Sequence, residues 1–283
     1  MPTGFFTDTT LCIGCKACEV ACKQWNELPA DGFAFSGASY DNTLALSGTT
    51  WRHVVFSEEA RDGSVRWLMS SDVCKHCEHA GCLEACPTGA IIRNEFGNVF
   101  VQPDVCNGCG YCVVSCPFGV VDLIEDLAHV PEASTATLHD DRLERGESAL
   151  QGRGGVAGKC TLCYDRQRSG MIPACAKACP TESIRFGDLD ELRAQARRRV
   201  DALRERGIEA RLYGADDVGD GIGRLGAFFL LTAEPERYGL PERPVLPSRR
   251  QREGYAAALL AAAAIAATGW LLFRGRRDGR GGA

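Results

Sequence analysis

Sixteen cysteines stand in the chain in four groups of four, and thiolates at such spacing hold iron–sulfur clusters. The groups are Cys12, Cys15, Cys18, Cys22; Cys74, Cys77, Cys82, Cys86; Cys106, Cys109, Cys112, Cys116; and Cys160, Cys163, Cys175, Cys179. Three of them close on Cys-Pro, at Pro87, Pro117 and Pro180. The third has the two-two-three spacing in which three thiolates hold one [4Fe–4S] cube and the fourth reaches a neighbouring cube. Four such groups predict four [4Fe–4S] clusters.

Two plainer readings fit less well. Disulfides are poorly served by two-residue spacings that recur in threes and fours, and 283 residues build a core without such staples. Zinc also takes four thiolates, but its knuckles usually come as two separated pairs, whereas groups one and three place a third cysteine three residues after the second. Group four is the least regular, with Tyr164 to Ala174 between its two pairs. Its ending Cys179-Pro180-Thr181 repeats Cys86-Pro87-Thr88 and makes it a member of the same series. His76 and His79 lie inside group two; with four thiolates at hand, surface or supporting places are expected for them rather than ligation.

The elements between the groups must hold the thiols in place. Pro87 to Val105 joins groups two and three, and its apolar runs Ala90-Ile91-Ile92 and Val99-Phe100-Val101 flank Asn94 to Asn98, which reads as a short β-hairpin. Strand, thiol loop, hairpin, thiol loop is the plan of a two-cluster ferredoxin. On that plan Cys74, Cys77, Cys82 and Cys116 hold one cube, and Cys86, Cys106, Cys109 and Cys112 the other. Groups one and four either stand alone or pair across this central module, and spacing does not decide between these. Asp188 to Gly207 carries Leu189, Leu192, Ala196, Val200 and Leu203 on one face and predicts an amphipathic helix, with Arg197-Arg198-Arg199 on its solvated side. Ile208 to Tyr213 and Ala227 to Thr232 read as strands, and Pro235 to Pro247 as an extended strap. The acidic, glycine-ended stretch Glu125 to Gly158 reads as a loop, with room for a short helix near Leu138 to Leu150.

Composition narrows the partners. A formal net charge of −5 argues against nucleic acid. Gly219, Gly221, Gly223 and Gly226 lack the lysine and hydroxyl of a phosphate-gripping loop and read as a turn. The N-terminus reaches Cys12 with no room for a leader peptide, so export would depend on a partner. Tyr255 to Phe273 is uncharged, about 28 Å long as a helix, and flanked by arginines, with Tyr255 and Trp270 near its ends; it reads as a transmembrane span. Gly269 and the alanine-rich face suit close approach by a partner's helices. The span has no histidine, so haem in such a complex would take its histidine ligands from another subunit.

The motifs resemble those of the iron–sulfur β subunit of membrane-bound formate dehydrogenase. The likeness lies in Cys12-Ile13-Gly14-Cys15-Lys16-Ala17-Cys18 with Trp25-Asn26, in Cys106-Asn107-Gly108-Cys109-Gly110-Tyr111-Cys112 through Cys116-Pro117-Phe118, and in Lys159-Cys160-Thr161-Leu162-Cys163 with Asp165-Arg166. It continues through Pro173-Ala174-Cys175, Cys179-Pro180-Thr181, Leu212-Tyr213-Gly214 and Tyr238-Gly239-Leu240-Pro241. The cysteine motifs are shared by many four-cluster subunits of molybdopterin oxidoreductases and some hydrogenases; the downstream segments and the C-terminal span narrow the choice. The resemblance implies an α+β fold of two nested ferredoxin-like modules plus a C-terminal transmembrane helix. It implies the cross-pairing of the outer groups: Cys12, Cys15 and Cys18 with Cys179, and Cys22 with Cys160, Cys163 and Cys175. Residues 1–28 and 157–187 would form the outer module and 74–124 the inner one. A connecting segment would occupy 29–73, an inserted loop 125–156, the helix, strands and strap 188–253, the span 254–273 and a basic tail 274–283. The implied partners are a catalytic molybdopterin subunit bearing molybdenum or tungsten, a haem b membrane subunit leading to quinone, and membrane lipid. The implied place is the cell membrane, single-pass, with the cluster domain on the extracytoplasmic face. Glu125 to Gly158 is longer than the family's connector.

An electron relay asks for rigidly held, shielded clusters and for no substrate chemistry from the chain. A cluster-using radical enzyme would need a C-x3-C-x2-C site with an open iron position, a spacing absent here. A zinc scaffold would be told apart by iron and sulfide analysis. Within the relay reading, the equivalent subunit of a membrane hydrogenase or of a sulfur-compound reductase is the alternative.

Overall fold

The computed structural model describes residues 1–30, 41, 43–61, 63–126 and 155–278, with backbone alone for 61, 250–253 and 271–278. The short helix expected near Leu138 to Leu150 lies outside the described residues. A central sheet is built from strands far apart in sequence: β1 (Thr3–Asp8), β8 (Ile184–Asp188), β9 (Arg211–Tyr213) and β10 (Ala227–Leu231), in the order β8-β1-β10-β9. β1 runs antiparallel to β8, with Thr7 opposite Ile184, and parallel to β10, with Phe5 opposite Ala227. Alternate residues of a strand point to opposite faces, and this divides the interior in two. Phe5 and Ala227 join the cysteine-bearing core, while Phe6 and Phe228 stack on each other at 5.3 Å in a second core.

That second core is roofed by α6 (Leu189–Glu205), which buries Leu189, Leu192, Ala196, Val200 and Leu203 as their spacing predicts. Asp188 caps it, accepting from the N–H groups of Asp190 and Glu191 at 3.0 and 3.2 Å. Its arginine run is not simply solvated. Arg199 reaches across to Asp8 at 2.9 Å and to Thr10 at 3.0 Å, fastening the helix to the lead-in of the first cysteine group, and Arg197 pairs with Asp216 at 2.8 Å.

Among the described residues, three two-stranded ribbons accompany this sheet. β4 (Ile91–Arg93) and β5 (Val99–Val101) form the expected hairpin, with Ile91 opposite Val101. β6 (Asp122–Ile124) pairs with β7 (Val156–Gly158). The segment read as a mere connector holds the longest ribbon, β2 (Arg52–Arg61) against β3 (Ser64–Val73), ten residues a side. Its far end carries Glu58, Glu59, Arg61 and Arg66, and this charge hid the strand pattern of the buried end.

The strap is partly helical. Pro235–Tyr238 is a 3₁₀ turn ended by left-handed Gly239, and Pro247 opens α7 (Pro247–Asp278) rather than closing an extended run. Among the described residues, no helix is long and apolar enough to cross a membrane. The span expected at Tyr255 to Phe273 falls within α7, and the last described side chain is Trp270. Up to there the apolar side chains face outward, Leu259 being 71% and Ile265 73% exposed.

Candidate iron–sulfur sites

All four cysteine groups are built on one local plan. In each, the residue just before the second cysteine is left-handed: Gly14, His76, Gly108 and Leu162 have φ of 67°, 44°, 72° and 57°. The same left-handed step thus separates the first two thiols of every group. The third cysteine is then the second residue of a helix in every group: Cys18 in α1 (Ala17–Trp25), Cys82 in α2 (Gly81–Glu84), Cys112 in α3 (Tyr111–Val114) and Cys175 in α5 (Ala174–Lys177). Three of these helices are a single turn, and the Cys-Pro that follows leads to a further left-handed residue, Gly89, Gly119 or Glu182. The repeated Cys-Pro-Thr endings also match in detail, with Thr88 3.7 Å from the Cys86 sulfur and Thr181 3.8 Å from that of Cys179.

The strands decide which groups meet. β1 leads into Cys12 and β8 leaves Cys179, and their antiparallel pairing brings group one to the end of group four. A cavity there is lined by Cys12, Cys15, Cys18 and Cys179. Cys22 is buried beside Cys160, Cys175 and Cys163. β4 and β5 draw the end of group two against the start of group three in the same manner. There Cys77 neighbours Cys74, Cys116 and Cys82, and Cys112 neighbours Cys106, Cys109 and Cys86. The sets also follow one another in series, each within electrostatic reach of the next: Cys18 of Cys175, Cys160 of Cys74, and Cys82 of Cys112. Cys15 at one end and Cys109 at the other are exposed.

The donor sets suit iron–sulfur cubes. All sixteen cysteines are free of disulfides, and backbone N–H groups point at sulfur, as from Leu162 to Cys160 at 3.2 Å and from Ala157 to Cys106 at 3.4 Å. Among the described residues, no three Cys, His, Asp or Glu side chains are placed to hold one metal ion. A cube, by contrast, spreads its thiolates over separate irons. Burial, first of all, pushes the thiols of Cys18, Cys82 and Cys160 up to about 12 and that of Cys112 up to about 11. Cys22 and Cys77 are driven well above the ordinary range by burial and then by their thiol neighbours. Such groups become thiolates readily only when cationic iron joins them.

Three cations are buried among these thiols. Arg52 of β2 donates through Nη1 to the Ser71 hydroxyl and carbonyl at 3.0 and 3.3 Å, over the ring of Phe5. Ser71 in turn lies 3.1 Å from the Cys18 sulfur. Lys75 pairs with Asp72 and lies over Phe118 and Phe229. Lys159 donates to the carbonyls of Val99 and Cys160 at 2.5 and 3.0 Å.

Sequence comparison places this architecture. A formate dehydrogenase iron–sulfur subunit of Escherichia coli, the nitrate-inducible one, is 38% identical over 266 residues, 92% of this chain and 80% of that protein. The chain belongs to the family of formate dehydrogenase iron–sulfur subunits. A family member from Haemophilus influenzae is 39% identical over 242 residues, 84% of this chain and 68% of its own. One subunit of the anaerobic dimethyl sulfoxide reductase of Escherichia coli is 32% identical over 190 residues, 67% of this chain and 75% of that subunit. Two family models, both described as a 4Fe-4S dicluster domain, match residues 65–150 and 147–189, and residues 11–90. Like its family, the chain is an iron–sulfur electron-transfer subunit of an oxidoreductase and not a catalytic one.

Several family-like motifs meet in space. The Trp25 indole donates to Asp165 of α4 (Tyr164–Arg168) at 2.8 Å while the Arg166 guanidinium sits 4.1 Å over the same ring, joining groups one and four. Tyr213 donates to the Pro241 carbonyl at 2.6 Å. The glycine-rich turn supports group two: the N–H of Ala227 bonds to the Lys75 carbonyl at 3.0 Å, and that of Glu78 to the Arg224 carbonyl at 2.9 Å. His79 is exposed, and His76 is buried within the loop with its ring pushed well toward neutrality, chiefly by burial. Sequence reasoning passed over Arg52 and Lys75. Lys75 stands next to Cys74, which was a usable signal; Arg52 gives none, since it reads as an ordinary strand residue.

Proposed function

We propose that the chain relays electrons through four [4Fe–4S] clusters in a single file. Cys12, Cys15, Cys18 and Cys179 hold the first, Cys22, Cys160, Cys163 and Cys175 the second, Cys74, Cys77, Cys82 and Cys116 the third, and Cys86, Cys106, Cys109 and Cys112 the fourth. Such clusters, when bound, accept and pass on single electrons. The chain's own work is to hold the thiols rigid, aim N–H groups at sulfur, and bury the second set completely. What carries the reading is the crossing made by β1 and β8, which sets Cys179 beside Cys12, together with the serial approach of the four sets. The exposed Cys15 and Cys109 suit the two ends, where electrons enter and leave.

The donor is a catalytic formate dehydrogenase subunit with molybdenum or tungsten, and the acceptor a membrane haem b partner leading to quinone. The fuller coverage by formate dehydrogenase relatives, against 67% of this chain for the dimethyl sulfoxide reductase one, favours formate over a sulfur-compound reductase. α7 anchors the chain, its outward Leu259, Leu260 and Ile265 being suited to lipid or to a partner's helices, and the cluster domain stands on the extracytoplasmic face. Anaerobic purification through a tag on this chain tests the reading. Sixteen irons per chain, a co-purifying molybdopterin-type subunit and formate-reducible clusters are expected. Zinc with little iron would end the cluster reading, and a reductase partner without formate activity would replace the formate one.

A further inference from the structure

Arg52 is 1% exposed, and its Nε and Nη2 atoms are buried without a hydrogen-bond acceptor among the described residues. Buried arginine donors ordinarily find partners, and a buried charge stays only where opposite charge compensates it. The groups around this one are the thiols of Cys175, Cys18, Cys160 and Cys22. Cys18 belongs to the first proposed set and the other three to the second, so Arg52 lies at the junction between them. Lys159, 2% exposed, stands likewise at the next junction, beside Cys74 and Cys82 of the third set and Cys160 of the second. Lys75 differs, because Asp72 is already its counterion. The nearest buried acid to Cys18, Glu19, is engaged with Lys16, His53 and the Val54 N–H.

We propose that Arg52 and Lys159 are positioning residues of the relay, each a fixed positive charge shared by two successive clusters, with the unspent Arg52 donors serving the sulfur atoms bound beside them. This rests on the ligand sets proposed above. Each cluster gains one electron on reduction, no bond being made or broken, and the added negative charge is stabilised by a cation that water does not screen. Both potentials flanking a junction therefore rise together. The sharing keeps neighbouring clusters level, so that an electron is not trapped on one side of a junction.

An EPR-monitored redox titration of the anaerobically purified protein, with its co-purifying chains, tests this on the wild type, Arg52→Met and Lys159→Met. Iron and sulfide are counted first, and a wild type with fewer than four clusters overturns the ligand sets and this proposal with them. In a fully loaded protein, Arg52→Met is expected to lower two of the four midpoints and Lys159→Met to lower two, one of them common to both variants. Each shift should be at least a tenfold change in the ratio of oxidised to reduced form, about 59 mV for one electron. The cluster of Cys86, Cys106, Cys109 and Cys112 should keep its potential in both. Four unmoved midpoints, or an equal shift of all four, overturn the proposal and leave the ligand sets standing. If Arg52→Met does not load, Arg52→Lys decides: it keeps the charge with fewer donors and should lower the same pair by less, and unchanged potentials there and in Lys159→Met overturn the assignment.

Discussion

At the scale of residues, spacing announced the thiols, but the backbone that turns them did not show itself evenly. Gly14 and Gly108 signal left-handed turns because glycine adopts them freely. His76 and Leu162 occupy the same place in their loops and carry no such mark; there the surrounding contacts impose the conformation. The pairing of the outer groups was equally silent in spacing, since nothing local to Cys179 names Cys12 as its neighbour. Cys179→Ser is expected to alter the EPR signal of the cluster shared with Cys12, Cys15 and Cys18; alteration of a different cluster alone would sink that assignment. The buried thiols also fix a pH dependence. Cys18, Cys82 and Cys160, held at about 12, and Cys112, at about 11, lie above the ordinary value of about 8.5 and keep their protons in the iron-free fold. Loading with iron and sulfide must expel those protons, so reconstitution should gain with rising pH and go on gaining past about pH 8.5, where exposed thiols level off. The iron-free fold moves the other way: the raised values support it below about pH 8.5, and that support is lost as pH rises toward the folded values. A reconstitution yield flat above about pH 8.5 would contradict this.

At the scale of elements, the hairpin β4–β5, the helix α6 and the strands β9 and β10 were legible because their apolar residues recur at the period of the structure they form. The ribbon β2–β3 was not, its outer half being charged and its inner half mixed, although Asp62-Gly63 is a hairpin dipeptide. β1 is short and would say little by itself, yet it holds the middle of the sheet. Gly4 permits this, since a Cβ there would stand 2.0 Å from the Gly226 carbonyl oxygen and 2.5 Å from Leu189. Gly4→Ala should therefore push β1 from its neighbours at a cost of about 1–3 kcal/mol. It should loosen the outer two clusters before the inner two. Iron analysis and EPR after mild oxygen exposure read this out, and equal loss from all four sites would show that β1 does not set the outer sites apart.

At the scale of the whole molecule, α7 touches α2 through its first turn, and from Gly254 to Trp270 it adds nothing to either core and holds its apolar side chains outward. Truncation before Gly254 should leave iron content and visible spectrum intact while releasing the protein from washed membranes; loss of clusters on truncation would give α7 a part in the fold instead. The sheet order β8-β1-β10-β9 was beyond the reach of sequence patterns, because it depends on contacts between strands roughly 180 to 220 residues apart. It also orders events during synthesis. Cys12, Cys15 and Cys18 leave the ribosome first, yet the strand before them has no partner until β8 and then β10 follow. At about 5–20 residues per second, Cys179 arrives roughly ten to thirty seconds later. The earliest thiols to be made thus wait longest for their enclosure, and for that interval they are open to oxidants or to any carrier that delivers iron.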